Sequence, residues 1–264
     1  MTLLTGGGAL AEAYVAQFGG RVVSARSLAD DDLIPALEQA EVVVHNAALI
    51  RADSQEELLT ANLGLTARIV TLLERWNPGA RLLSIGSMSY LDLGDSRSYA
   101  PLDSLGPYAR SKYLAERAVL DSSLETAYSI RMSTLFYGNP TRDGLSQLVS
   151  DAATTGRVTL TDGGAAARDF LPLHAAAGYL HRMAVGSLPA GPTVNLATGR
   201  RTSFLDVARH LAARLPQLEI ADRPATSPAA PVLADFDLRD VTAIGLVGPR
   251  WEDAVADYLE RLLS

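Results

Sequence analysis

The sequence predicts an α/β protein built on a doubly wound parallel sheet. Two patterns carry that expectation: short apolar runs alternate with segments of helical period, and a glycine-rich turn follows the first run directly. A third pattern, Tyr108 and Lys112 four residues apart in a helix-period segment, puts a chemically distinctive pair on one helix face of that frame.

The elements follow in order. Leu3-Leu4 opens the chain as a strand, and Gly6-Gly7-Gly8 ends it and leads into a helix over 9–18. Arg21-Val22-Val23 is the second strand, with a helix over 30–39 behind it. Glu41-Val42-Val43-Val44-His45 is the third and most apolar, and a long helical pattern over 54–75 separates it from Arg81-Leu82-Leu83-Ser84-Ile85. A helix over 107–121 carries the Tyr/Lys pair. Tyr128-Ser129-Ile130-Arg131 and Thr193-Val194-Asn195-Leu196 complete the strands, with helices over 174–186, 203–215 and 250–263. No internal repeat is visible, and the linker-like stretch Arg223-Pro224-Ala225-Thr226-Ser227-Pro228-Ala229-Ala230-Pro231 crosses the surface near the C-terminal part.

Composition narrows the function classes. With 264 residues and 48% hydrophobic content, the chain can bury a full core as one domain or as one domain with an appendage. No window is long and apolar enough to span a membrane and no signal-peptide pattern opens the chain, so a soluble, cytoplasmic protein is expected. The absence of cysteine excludes disulfides and thiolate chemistry. A net charge of -7 with scattered arginines argues against nucleic-acid binding. His45, His174, His181 and His210 are dispersed without metal-ligand spacing, so no metal site is expected.

Lys112 is the only lysine among 23 lysines and arginines. A site that keeps lysine where arginine serves everywhere else points to a compact ammonium in a pocket. On a helix it shares a face with Tyr108, where its charge is expected to favour the tyrosinate and bring the phenol towards general acid/base work. An ordinary helix pair is the plain alternative. The first turn reads Gly6-x-Gly8-x-x-Ala11: a first glycine for the tight turn, a second where backbone amides approach a pyrophosphate, and a small residue for helix–strand packing.

These pieces together resemble the extended short-chain dehydrogenase/reductase family of nucleotide-sugar epimerases, dehydratases and 4-ketoreductases, nearly end to end. The family's Thr-Gly-x-x-Gly-x-x-Gly turn matches when one residue is deleted, which puts its glycine positions on Gly6, Gly8 and Ala11 and turns Tyr14, Val15 and Phe18 to the core. His45-Asn46-Ala47-Ala48 resembles the turn beside the cofactor's adenosine, and Asn62-Leu63-Gly64-Leu65-Thr66 the Asn-x-x-Gly-Thr helix segment. Ile85-Gly86-Ser87 resembles the strand end that presents a substrate-orienting hydroxyl. Arg131-Met132-Ser133-Thr134-Leu135-Phe136-Tyr137-Gly138 is similar to Arg-Pro-x-x-Val-Tyr-Gly. Arg168-Asp169-Phe170 matches the segment whose arginine holds the nucleotide diphosphate, with Arg223 as a second candidate. Plain alternatives stand beside these: Asn46, Asn62 and Asn195 can satisfy backbone groups at strand ends, and Arg168 can pair with Asp169 in solvent.

The resemblance implies a Rossmann domain over 1–135 and 170–200 and a small, discontinuous C-terminal substrate-binding lobe over 136–169 and 201–264. It implies Ser87, Tyr108 and Lys112 as the catalytic triad, with Gly6, Gly8, Ala11, Arg26, Asn46, Ala47 and Ala48 joining Tyr108 and Lys112 around the cofactor. Ser87, Arg168 and Arg223 are the expected substrate contacts. The second strand ends Val23-Ser24-Ala25-Arg26-Ser27 without an acidic residue, which favours NADP over NAD. The family's next strand is missing or merged. Ser87 is followed by Met88-Ser89 rather than the acidic pair of the 4,6-dehydratases, which leaves single-carbon hydride transfer on a nucleotide-activated sugar, by a 4-ketoreductase or a 4-epimerase. A reductase of a non-sugar carbonyl compound and a non-catalytic dinucleotide sensor are the alternatives. A homodimer through the helices over 54–75 and 107–121 is expected.

Overall fold

The computed structural model describes every residue except 93, 187, 225–235 and 247, so most of the expected linker lies outside the described residues. The strands are β1 (Thr2–Leu4), β2 (Arg21–Val22), β3 (Val42–His45), β4 (Arg81–Ile85), β5 (Ala127–Met132), β6 (Thr134–Phe136), β7 (Arg157–Thr161), β8 (Ala167–Arg168), β9 (Phe170–Pro172), β10 (Thr193–Leu196), β11 (Thr202–Ser203) and β12 (Glu219–Arg223). The helices are α1 (Ala9–Phe18), α2 (Asp30–Glu38), α3 (Gln55–Leu59), α4 (Leu65–Trp76), α5 (Pro107–Leu120), α6 (Gly144–Thr155), α7 (Leu173–Val185), α8 (Phe204–Ala212), α9 (Arg239–Ala243) and α10 (Trp251–Leu263).

Six strands form a parallel sheet in the order β10-β5-β4-β3-β1-β2. These are the six apolar runs of the sequence. Their side chains alternate between two helical layers: Leu4, Val44, Leu83 and Ile130 pack with α1 and α7, whereas Leu3, Val43 and Leu82 pack with α2, α4 and Val119 of α5. Burial on both faces explains why the runs read as continuous rather than alternating. The chain steps from β1 outward to β2 and then back past β1 to β3. That reversal opens a crevice at the carboxyl ends of β1 and β3, where such sheets bind ligands.

A second apolar cluster gathers Phe136, α6, β7, α8 and α10 around Phe170. Three two-stranded pairings, β6 with β9, β7 with β12 and β8 with β11, lie outside the main sheet. The long helix expected over 54–75 is broken by a π turn at Thr60–Gly64. Phe18 corrects the expected core face of α1. Tyr14 is buried as expected, but Phe18 is 38% exposed and stacks on His181, because the helix ends there over the rim of α7.

The edge strand β2 is only two residues long, and among the described residues no further strand pairs beyond it. Arg68 of α4 supplies the support that a further strand would give. Its guanidinium donates to Ala25 O at 2.8 Å, Leu28 O at 2.7 Å and Asp30 Oδ1 at 2.6 Å, pinning the turn between β2 and α2.

Candidate active site

A cavity of about 830 Å³ opens at the crevice. Its walls come from the turn after β1 (Gly7, Gly8), the turn after β3 (Asn46, Ala48), the end of β4 (Ile85 to Ser89), and Tyr108 and Lys112 of α5. Segments beyond β5 close the far side with Tyr137, Arg142, Arg168 and Arg201.

The glycine turn is built for close approach. A Cβ on Gly6 would stand 2.9 Å from the Ala47 main chain, so glycine is required where β1 meets β3. Asn46 locks the same point from both sides, accepting from Gly6 N at 3.0 Å and donating to Gly6 O at 2.8 Å. Gly8 adopts φ 127° as the N-cap of α1, with no side chain capping the helix. The first-turn amides of α1 therefore face the cavity without a protein side-chain acceptor, an arrangement that fits a pyrophosphate.

Behind this turn, His45 is buried between two hydroxyls, Thr5 Oγ1 at 2.7 Å from Nδ1 and Thr66 Oγ1 at 3.0 Å from Nε2. Thr66 gives its own proton to Asn62 O, so the network assigns the His45 proton to Nε2. Burial, with a smaller contribution from the Lys112 charge, pushes its pKa down to about 3, and it is neutral at physiological pH.

Ser87, Tyr108 and Lys112 all line the cavity. Ser87 is held by Ser89, donating to its hydroxyl at 2.9 Å and accepting from its N–H at 3.1 Å. The electrostatics differ from the expectation. Burial raises the Tyr108 phenol above its ordinary range, a hydrogen bond with Ser87 pulls it down, and Tyr137 raises it again. Lys112 is not the group that depresses it here. Its ammonium donates to Ile85 O at 2.7 Å, and burial lowers its own pKa to about 8 while Glu116 raises it.

The remaining expected site residues divide into three groups. Gly8, Asn46, Ala48 and Arg168 line the cavity. Gly6, Ala11 and Ala47 do not line it: they shape the turn from behind, Ala11 being buried against the core. Arg26 and Arg223 are exposed and outside the cavity wall, Arg26 in the turn after β2 and Arg223 at the end of β12, where it donates to Thr161 Oγ1 at 2.9 Å. Arg168 donates to Ala167 O at 2.7 Å. Asp169 instead turns inward, accepting from Ser133, Thr198 and the Arg200 N–H. Asn62 and Asn195 both bind main-chain groups, Asn62 bridging Leu49 and Asn195 reaching Ser96 O and Asp237 O. Arg142 and Arg201 were not singled out from the sequence, and Tyr137 was read only as part of the segment over 131–138. Among the described residues no group of three or more carboxylate, imidazole or thiol side chains is placed to hold a metal, and no helix is long and apolar enough to cross a membrane.

Residues 8–196 match the model of the NAD dependent epimerase/dehydratase family. The chain belongs to this family. Its members are the extended short-chain enzymes that the sequence resembles. No curated protein matches the chain in sequence. Among solved structures, MoeE5 in complex with UDP-glucose and NAD is similar with a TM-score of 0.80 and 20% identity, over 100% of this chain and 99% of that one. The UDP-N-acetylglucosamine 4-epimerase from Methanobrevibacter ruminantium gives 0.81 and 14% over 98% and 96%. The UDP-glucose 4-epimerase of Thermus thermophilus in complex with NAD gives 0.74 and 15% over 99% of both chains.

Proposed function

We propose that this family member transfers hydride at one carbon of a nucleotide-activated sugar, as a 4-ketoreductase or 4-epimerase. One observation carries the reading: a single cavity holds the glycine turn, the Ser87, Tyr108 and Lys112 side chains, and three arginines, Arg142, Arg168 and Arg201. A protein of net charge -7 that gathers three guanidinium groups at one wall is suited to an anionic ligand, and Arg168 supplies the fork that a diphosphate accepts. UDP-glucose in MoeE5 supports the same substrate class.

In this reading the α1 amides and Gly8 hold the cofactor pyrophosphate, and Asn46 and Ala48 border its adenosine side. A bound nicotinamide dinucleotide supplies the hydride donor and acceptor. Tyr108, protonated at neutral pH, gives its proton to the sugar carbonyl oxygen in reduction and takes it back in oxidation. Ser87 orients that oxygen, and the Lys112 ammonium binds the nicotinamide ribose. NADP is favoured over NAD because the end of β2 offers Arg26, while the nearby Asp30 carboxylate is already engaged by Arg68. The segments 136–169 and 201–264 serve as the substrate lobe on the Rossmann domain of 1–135 and 170–200.

Two assays test this: oxidation of NADPH with UDP- and dTDP-linked 4-keto-hexoses, and nuclear magnetic resonance of UDP-hexoses for inversion at C4. Absence of both reactions at millimolar substrate overturns the nucleotide-sugar reading and leaves a non-sugar carbonyl compound or a sensor. Two chains are expected to pair through the outer faces of the helices over 54–75 and 107–121; a monomer mass by light scattering at micromolar concentration refutes that.

A further inference from the structure

Behind the triad lies a buried polar network that the proposed hydride transfer does not use directly. Tyr108, Lys112 and Glu116 follow one another at intervals of four along α5 and share one face of the helix. The Glu116 side chain is 0% exposed, and its ion-pair partner Arg131, on β5, is almost as buried. The carboxylate accepts from Arg131 Nη2 at 2.7 Å and Nε at 3.0 Å, from Tyr90 OH and Ser129 Oγ at 2.6 Å each, and from Tyr99 OH at 2.7 Å. Every acceptor direction of the buried charge is therefore used, which fixes its position.

Two links run from this carboxylate to the catalytic groups. The Tyr90 hydroxyl, which donates to Glu116, also accepts from the Ser87 main-chain N–H at 3.3 Å. The same hydroxyl presses on the preceding residue, since a Cβ on Gly86 would stand 2.7 Å from it. The second link is electrostatic: burial lowers the Lys112 pKa to about 8, and the Glu116 charge is what opposes that fall. Around Lys112 the charged and titratable groups are Tyr108 and Glu116 on α5, the neutral His45 on β3, and Arg131 and Tyr90 through the Glu116 carboxylate.

We propose that Glu116 and Tyr90 are positioning residues of the active site: the clamped Glu116 carboxylate keeps the Lys112 side chain as an ammonium, and the Tyr90 hydroxyl carries the same anchor to the main chain of Ser87. The proposal rests on the assignment of Ser87 and Lys112 to the reaction, but its central measurements need neither substrate nor cofactor. Because the chain has a single lysine, lysine labelled with carbon-13 at Cε gives one side-chain resonance, whose pH titration reads Lys112 alone. Wild-type protein is expected to titrate near 8. Glu116→Gln should lower that midpoint by about one unit, a roughly tenfold loss of proton affinity. Tyr90→Phe keeps the ring and removes the hydroxyl; it should speed exchange of the Ser87 amide by about tenfold or more. In turnover it should lower kcat by about tenfold with KM for the nucleotide sugar within about twofold. A role confined to stability moves the melting temperature and neither the Lys112 midpoint nor the ratio of kcat to KM effects. An unchanged Lys112 midpoint in folded Glu116→Gln overturns the proposal. Should that variant not fold, Tyr90→Phe decides alone, and unchanged Ser87 exchange overturns it. Failure of the nucleotide-sugar reading is seen separately, as absence of turnover by the wild-type protein.

Discussion

Replacing Arg168 with alanine probes the substrate reading most directly. Arg168 ends β8, which is held by β11 through Thr202, and its Nη1 is fastened to Ala167 O at 2.7 Å. The guanidinium is thus oriented before a ligand arrives, and that bond uses one of its five donors. A charge-assisted hydrogen bond to a diphosphate is worth roughly 1.5–3 kcal/mol, which corresponds to a factor of about 13 to 150 in affinity. Arg142 and Arg201 share the cavity, so the lower end of that range applies. Calorimetric titration of UDP and UDP-glucose is expected to show binding weakened by at least about tenfold in Arg168→Ala, with NADP(H) affinity within about twofold of wild type. A loss of less than about threefold for the nucleotide, or an equal loss for the dinucleotide, refutes the assignment of Arg168 to the diphosphate.

Three further outcomes are expected. Tyr108→Phe should reduce turnover by about a hundredfold or more while dinucleotide binding persists; retained activity removes Tyr108 from the mechanism. NADPH should bind more tightly than NADH by fluorescence titration, and Arg26→Asp should narrow or reverse the difference; a wild-type preference for NADH shows that the end of β2 does not select the 2′-phosphate. The buried His45 has a folded pKa near 3, below its ordinary value of 6.5. Its contribution to stability is therefore complete above pH 6.5 and is lost as pH falls towards 3, by up to ~1.4 kcal/mol per pH unit. Urea unfolding between pH 7 and 5 should show that slope in wild type and a shallower one in His45→Gln; equal slopes contradict it.

The main sheet was legible because a parallel strand covered on both faces is apolar along its length, as Val42 to Val44 are, and Leu82-Leu83 form the apolar centre of β4. Of the smaller part, the helices over 203–215 and 250–263 were legible as α8 and α10, and the rest was not. Strands β8 and β11 have two residues each, too few for any period, and α6 mixes serine, threonine and aspartate into its pattern. Tyr108 and Lys112 were readable as a pair because helix geometry joins them within one segment, whereas Ser87 entered only through the resemblance. Arg142 and Arg201 come to the cavity from turns far apart in sequence, so no local spacing announces them. Arg223 carried a motif's position but not its location, since β12 runs beside β7, outside the cavity wall. Tyr108 itself shows the limit of pair reasoning: its neighbour's charge was visible in the sequence, whereas the burial that raises the phenol is a property of the folded cleft.

The Arg68 fork separates two roles that an edge strand usually combines. A turn held by two carbonyl bonds and one carboxylate bond to a single guanidinium, and by main-chain bonds from Val23 N to Leu4 O and Ala25 N to Thr5 O, has supports that do not use its outward side chains. The exposed Ser24, Arg26 and Ser27 can then change their chemistry without unzipping β2 from β1, while Ala25 stays buried in the core. Under the proposed function, dinucleotide preference is to be exchanged at the rim by substituting Ser24, Arg26 or Ser27, while Arg68 must stay: losing it strands the carbonyls of Ala25 and Leu28.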